Sequence, residues 1–221
     1  MQHSIDQHGF TITKDVVDSN AVADLLQTLG PVSGAGRRAL LSHPQISAFA
    51  HSSTILALVR PYLPEPPIPV RAIYFDKTPE TNWGVTWHQD LTLALKEPIE
   101  TPGFGPWSIK DGIPHVQPPA FLLTQMLTLR LHLDEADESN GALKVLPGSH
   151  QSGRLSSAEI QDVRTKLIET LCSARAGDAL LMRPLLLHSS SRSISDKHRR
   201  ILHIEYAGFH LPNGLSWHQA A

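Results

Sequence analysis

Hydrophobic and polar positions divide this chain into a helical first third and a strand-rich remainder. Residues 10–17 (FTITKDVV) alternate and predict a strand. Ser19-Asn20 then caps a short helix, NAVADLLQTL, which Gly30-Pro31 stops. His43-Pro44 opens a second helical stretch with proline at the first helical position, broken near Ser52-Ser53 and resumed to about Arg60. The prolines of PYLPEPPIP (61–69) read as a stiff connector. From Val70 the pattern changes to strands. In VTWHQDLTLAL, Val85, Trp87, Gln89 and Leu91 fall on one side and Thr86, His88, Asp90 and Thr92 on the other. Residues 96–119 form a Gly/Pro-rich excursion that predicts a lid or binding loop without regular structure. MLTLRLHLD (126–134) predicts a strand with Leu129, Leu131 and Leu133 on one face and Arg130, His132 and Asp134 on the other. A turn at Ser139-Asn140-Gly141 leads to ALKVLP, expected as the hairpin partner of that strand. A capping box, Ser156 with Glu159, starts a further helix, and TLCSA, DALLM and RRILHIEY predict more strands.

Helices first, then strands with one helical insertion, suit an α+β, mainly β protein: an antiparallel sandwich or jelly roll with flanking N-terminal helices. The expected organisation is one domain over 1–221, with a helical N-terminal portion (1–69) and a β core (70–210).

Composition narrows the function classes. The 221 residues are 41% apolar and 18% charged with a formal net charge of −2, a globular balance. No basic block is long enough to suggest a nucleic-acid partner; Arg37-Arg38 and Arg199-Arg200 are only pairs. No apolar run approaches the ~18 residues of a membrane span, and the N-terminus has no basic start followed by an apolar stretch. The single cysteine, Cys172, excludes a disulfide within the chain and cysteine-based zinc sites. A cytoplasmic protein acting on a small molecule is the expectation; nothing in the pattern specifies an oligomeric state.

The chemistry lies among the histidines. His88 and Asp90 sit two apart on a predicted strand, so both side chains leave one face. His188 ends the apolar run ALLMRPLLL, where a buried strand meets a loop. Two neutral imidazoles and a carboxylate suit Fe(II) and leave coordination positions free for chemistry. A dianionic cosubstrate on such a metal needs a buried cation for its far carboxylate. In RRILHIEY, Arg199, Ile201 and His203 point one way and Arg200, Leu202 and Ile204 the other; spacing alone leaves open which arginine faces inward. Arg71, Lys77, Trp83, Trp107 and Arg130 are candidate substrate contacts, with Arg71, Trp107 and Arg130 foremost. Two other classes compete: a cupin-like metal-dependent isomerase or hydrolase, which keeps the triad without needing Arg199, and a catalytically silent binding protein.

WHQD, the stretch LHLDEADESNGALKVLPGSH and the tail H-x-S followed by RR resemble the phytanoyl-CoA dioxygenase family of Fe(II)/2-oxoglutarate oxygenases, from about Val70 to Tyr206. The resemblance implies a double-stranded β-helix with iron at its open end. It implies His88, Asp90 and His188 as the iron triad. It also selects Arg199, eleven residues after His188, over Arg200 for the cosubstrate carboxylate, and suggests Ser190 as a hydroxyl donor to that group. Fe(II), 2-oxoglutarate and O2 are the implied cofactors. Because a carboxylate occupies position 90, hydroxylation or a related oxidation is expected, not halogenation.

Overall fold

Alternation of leucine with polar residues from 126 to 133 and from 199 to 206 gives two strands one apolar and one polar face each, and this decides the architecture. The computed structural model describes residues 2–32 and 34–219. Its helices are α1 (Gln2–His8), α2 (Ser19–Leu29), α3 (Pro44–Ala50), α4 (Ser53–Val59), α5 (Ala120–Leu123) and α6 (Ser157–Lys166). Its strands are β1 (Phe10–Thr13), β2 (Gly36–Arg37), β3 (Ile68–Lys77), β4 (Val85–His88), β5 (Leu93–Ala94), β6 (Trp107–Lys110), β7 (Ile113–Val116), β8 (Met126–His132), β9 (Leu143–Val145), β10 (Thr170–Cys172), β11 (Ala179–Met182), β12 (His188–Ser190) and β13 (Arg199–Ala207).

A six-stranded antiparallel sheet, in the order β1-β11-β8-β13-β3-β2, faces a four-stranded one, β10-β9-β12-β4. From β10 the chain passes to β11 in the large sheet, β12 in the small and β13 in the large, the path of a jelly roll. The outer face of the large sheet carries Leu127, Leu129, Leu131, Leu202, Ile204 and Tyr206, packed against Ile5, Leu25, Leu29, Ile46 and Ile55 of the helices. Each such side chain stabilises the fold by roughly 1.5–3 kcal/mol on burial. The Tyr206 hydroxyl donates to the Ala50 carbonyl (3.0 Å), so even the polar atom on this face is satisfied. The inner face is polar on β8 and β13, with Thr128, Arg130, His132, Arg199, His203 and Glu205, whereas on β1 and β11 Phe10, Ile12, Leu180 and Met182 pack against Leu143, Val145 and Cys172 of the small sheet.

The structure revises several expectations. ALKVLP does not return beside β8; β9 pairs with β10 and β12 in the opposite sheet, because the turn at 139–141 carries the chain across the sandwich. The excursion 96–119 is not structureless: β6 and β7 form a hairpin, and β5 completes a three-stranded sheet with β7. The strand through His88 ends there and does not continue to residue 95. The strand expected over 10–17 is shorter, β1, and with β2 it forms the two edges of the large sheet. Helix α2 is capped by the Asp18 carboxylate, which accepts from Ala21 N–H (2.8 Å), and not by Ser19-Asn20. The expected break between α3 and α4 and the Ser156–Glu159 capping box are present. Among the described residues, no helix is long and apolar enough to cross a membrane.

Candidate metal centre

His88 and His188 are direct cross-strand partners on β4 and β12, which brings their rings to 4.1 Å between centroids. Each ring's Nδ1 lies against a backbone carbonyl two residues earlier, Thr86 (2.8 Å) and Leu186 (2.9 Å). A carbonyl can only accept, so Nδ1 carries the proton and Nε2 presents its lone pair. Asp90 lies just beyond β4. Its backbone N–H donates to the Pro184 carbonyl (2.9 Å), and Gln89 clamps the segment from the opposite side. Gln89 Nε2 donates to the carbonyls of Gly153 (2.8 Å) and Leu185 (2.7 Å), and its Oε1 accepts from Leu155 N–H (2.9 Å). Asp90 oxygens consequently stand 3.8 Å from His88 Nε2 and 3.7 Å from His188 Nε2, and one ligand atom from each residue lies within 4.8 Å of the others. Ligands at about 2.1 Å from one ion stand roughly 3–3.6 Å apart, so small side-chain adjustments suffice to close this set on a divalent metal.

The electrostatics agree with ligation. Burial works to raise the Asp90 carboxyl, but His188, His203, His88 and Arg130 outweigh it and hold it at about 2. Burial pushes His188 down to about 4, opposed by Asp90. At neutral pH the centre is therefore one carboxylate with a neutral His188 imidazole, the state that binds metal.

Beyond the triad, paired strands β13 and β3 of the large sheet carry buried cations. Arg199 is 3% exposed, and its Nε has no hydrogen-bond partner. Lys77, directly opposite Arg199 in the β13–β3 register, is fully buried and donates to the Ser191 carbonyl (2.7 Å). Its ammonium also lies 5.3 Å from the Trp83 ring centroid. Burial, then Arg199 and Arg130, push Lys77 down to about 7. Arg200 faces the other way and makes a two-pronged ion pair with Asp134 (2.7 Å for each contact). Ser190 is buried on the same face of β12 as His188. The tight turn above Lys77 needs Gly141, whose φ is +74° and where a Cβ would collide with the Ser191 carbonyl.

Toward the mouth, Arg71 is committed to Glu205 (3.1 Å). Glu205 meets His203 Nε2 (3.3 Å), and His203 Nδ1 meets Arg130 Nη1 (3.0 Å). Trp107 sits half-buried on β6 and packs with Leu93 and Val116 in the apolar cluster of the hairpin. Thr92, Leu93, Leu123, Met126, Thr128 and Glu205 enclose a space of about 10 Å³ beside Asp90, room for about one water molecule. His203 and Glu205 were not singled out from sequence; extending the alternation Arg199, Ile201, His203 by one step would have added Glu205 to the inward face.

The model of the phytanoyl-CoA dioxygenase (PhyH) family matches residues 33–201. Phytanoyl-CoA dioxygenase domain-containing protein 1 of Rattus norvegicus is 30% identical over 116 residues, covering 52% of this chain and 32% of that protein. This chain thus spans about a third of its curated relative. Among solved structures, EctD from S. alaskensis superposes with a TM-score of 0.73 at 16% identity, covering 100% of this chain and 84% of EctD. The epimerase SnoN in complex with Fe3+, alpha ketoglutarate and nogalamycin RO superposes with a TM-score of 0.69 at 17% identity, over 93% of this chain and 81% of SnoN. These likenesses establish the fold, and the match over residues 33–201 places the chain in the phytanoyl-CoA dioxygenase family.

Proposed function

We propose that the protein is an Fe(II)/2-oxoglutarate-dependent oxygenase that hydroxylates a small organic substrate. The observation that carries this reading is the combination of a His88–Asp90–His188 donor set with buried cations, Arg199 and Lys77, that have no carboxylate within ion-pair distance among the described residues. A cupin-like isomerase or hydrolase would account for the donor set but not for Arg199 and Lys77.

In this reading His88, Asp90 and His188 hold the iron. Arg199, with Lys77 beside it, takes the distal carboxylate of 2-oxoglutarate, and Ser190 adds a hydroxyl from β12. When bound, the metal and cosubstrate supply oxidation by O2 coupled to decarboxylation of 2-oxoglutarate to succinate. The chain's own residues position and desolvate. The carbonyls of Thr86 and Leu186 hold both imidazoles in the ligating tautomer, and Gln89 sets the angle of Asp90. The hairpin β6–β7, with Trp107, excludes water from the mouth, where Arg71 and Glu205 face the entering substrate. SnoN, an epimerase on the same fold, indicates that the scaffold supports more than one reaction, and Asp90 is the reason hydroxylation is preferred here to halogenation.

Succinate formation from 2-oxoglutarate, dependent on both Fe(II) and O2, is the expected outcome for the purified protein. Asp90→Ala should abolish it and lose most of the iron affinity; a variant with full turnover would contradict the assignment.

A further inference from the structure

Arg130, like Arg199, is a buried charge with no ion-pair partner among the described residues. It is 8% exposed, its Nε has no partner, and its guanidinium lies over Phe75, 5.8 Å from the ring centroid. Its one hydrogen bond is to His203 Nδ1 at 3.0 Å. Because a guanidinium only donates, that nitrogen must accept, and the ring proton sits on Nε2, facing Glu205. Glu205 is in turn occupied by Arg71. The chain Arg71–Glu205–His203–Arg130 therefore ends on a buried fork whose other donors meet no carboxylate among the described residues. A buried cation in that state is costly unless a ligand supplies the acceptors.

The position of the fork is informative. Arg130 stands opposite His203, four residues along β13 from Arg199, or roughly 13 Å of strand at 3.3 Å per residue. Its head leans back over Phe75, which is opposite Ile201. It thus lies between the Arg199–Lys77 end and the mouth, and Thr128 and Glu205, two residues along the same strands from Arg130 and His203, line the small space beside Asp90. The fork therefore belongs to the stretch of the inner face that adjoins Asp90.

We propose that Arg130, oriented by His203, forms a second carboxylate subsite, which takes the metal-side carboxylate of the bound 2-oxo acid. Arg199 and Lys77 take the distal one. The assignment rests on the 2-oxoglutarate reading above and removes Arg130 from the set of substrate contacts.

Calorimetric binding to the Mn(II)-loaded protein tests it with two probes: 2-oxoglutarate, and 2-oxopentanoate, which keeps the keto-acid head but lacks the distal carboxylate. Arg130→Met should weaken both probes by roughly tenfold or more, the scale of a lost charge-assisted pair. Arg199→Met should weaken only 2-oxoglutarate. The melting temperature of unliganded Arg130→Met should equal or exceed the wild type, because an uncompensated charge has been removed; a residue needed only to brace His203 would lower it. Wild-type affinity for both probes in Arg130→Met overturns the proposal. Loss of 2-oxoglutarate alone does so too, by moving Arg130 to the distal subsite. If Arg130→Met fails to fold, Arg130→Lys decides: a point charge in place of the fork should bind both probes several-fold more weakly, and unchanged affinity overturns the assignment. Failure of the wild-type protein to bind either probe sinks the 2-oxoglutarate reading itself, and this one with it.

Discussion

Single residues in the cavity are set by what burial does to charge. Lys77 shows this best, since it is fully buried against Arg199 and held at about 7. Unfolded, it would titrate near 10.4. Between these values the folded protein has released a proton that the unfolded chain keeps, so this group's contribution to stability rises with pH from about 7 to 10.4. Below pH 7 the buried charge is present at full cost. A carboxylate placed beside Lys77 reverses the preference and draws the proton back. Binding of 2-oxoglutarate at pH 8 is therefore expected to take up a proton and to weaken as pH rises further. Calorimetry in buffers of different ionisation enthalpy measures the uptake directly. Lys77→Met should abolish it, and the same uptake in that variant would exclude Lys77 as its source.

Among the elements, turns matter as much as strands. The crossing from β8 to β9 depends on Gly141, where a side chain would strike the Ser191 carbonyl that also holds Lys77. Gly141→Ala is expected to cost about 1–3 kcal/mol in stability and to weaken 2-oxoglutarate binding as well. Urea unfolding and ligand titration of one variant check both, and a stability loss with unchanged affinity would uncouple the turn from the site. This turn also marks the limit of what could be read in the amino-acid sequence. Alternation placed Arg130 and His132 opposite Leu129 and Leu131, and the resemblance distinguished Arg199 from Arg200, because both facts are local or motif-borne. The partner of β9 was misread because a turn signal says that the chain reverses, not which sheet receives it. The β6–β7 hairpin was hidden because glycines and prolines mask short strands whose stability comes from packing against Leu122, Leu123 and Met126. His203 and Glu205 gain meaning only beside Arg130 and Arg71, partners 73 and 134 residues away.

At the scale of the whole molecule, apolar and polar duties are divided between the two faces of β8 and β13 in the large sheet. The outer face, under the helices, holds the fold together; the inner face carries like charges that oppose it. Such a protein should be strongly stabilised by its own ligands. At about 100 times the dissociation constant, a ligand that binds only the folded state adds about 2.7 kcal/mol, or roughly 5–10 °C in melting temperature for a chain of this size. Mn(II) with 2-oxoglutarate should produce a shift of that order in a thermal scan, and succinate a smaller one. A shift from the metal alone, with none added by 2-oxoglutarate, would argue against an anion pocket.

The amide of Gln89 ties three separate stretches of backbone together while pointing away from any ion. In the proposed metal centre, this spacer between the candidate ligands His88 and Asp90 is thus the part that would fix the bite angle. Attempts to retune this centre for another element would do better to start from that glutamine than from the donors themselves, since replacing it would swing the carboxylate without altering the coordinating atoms.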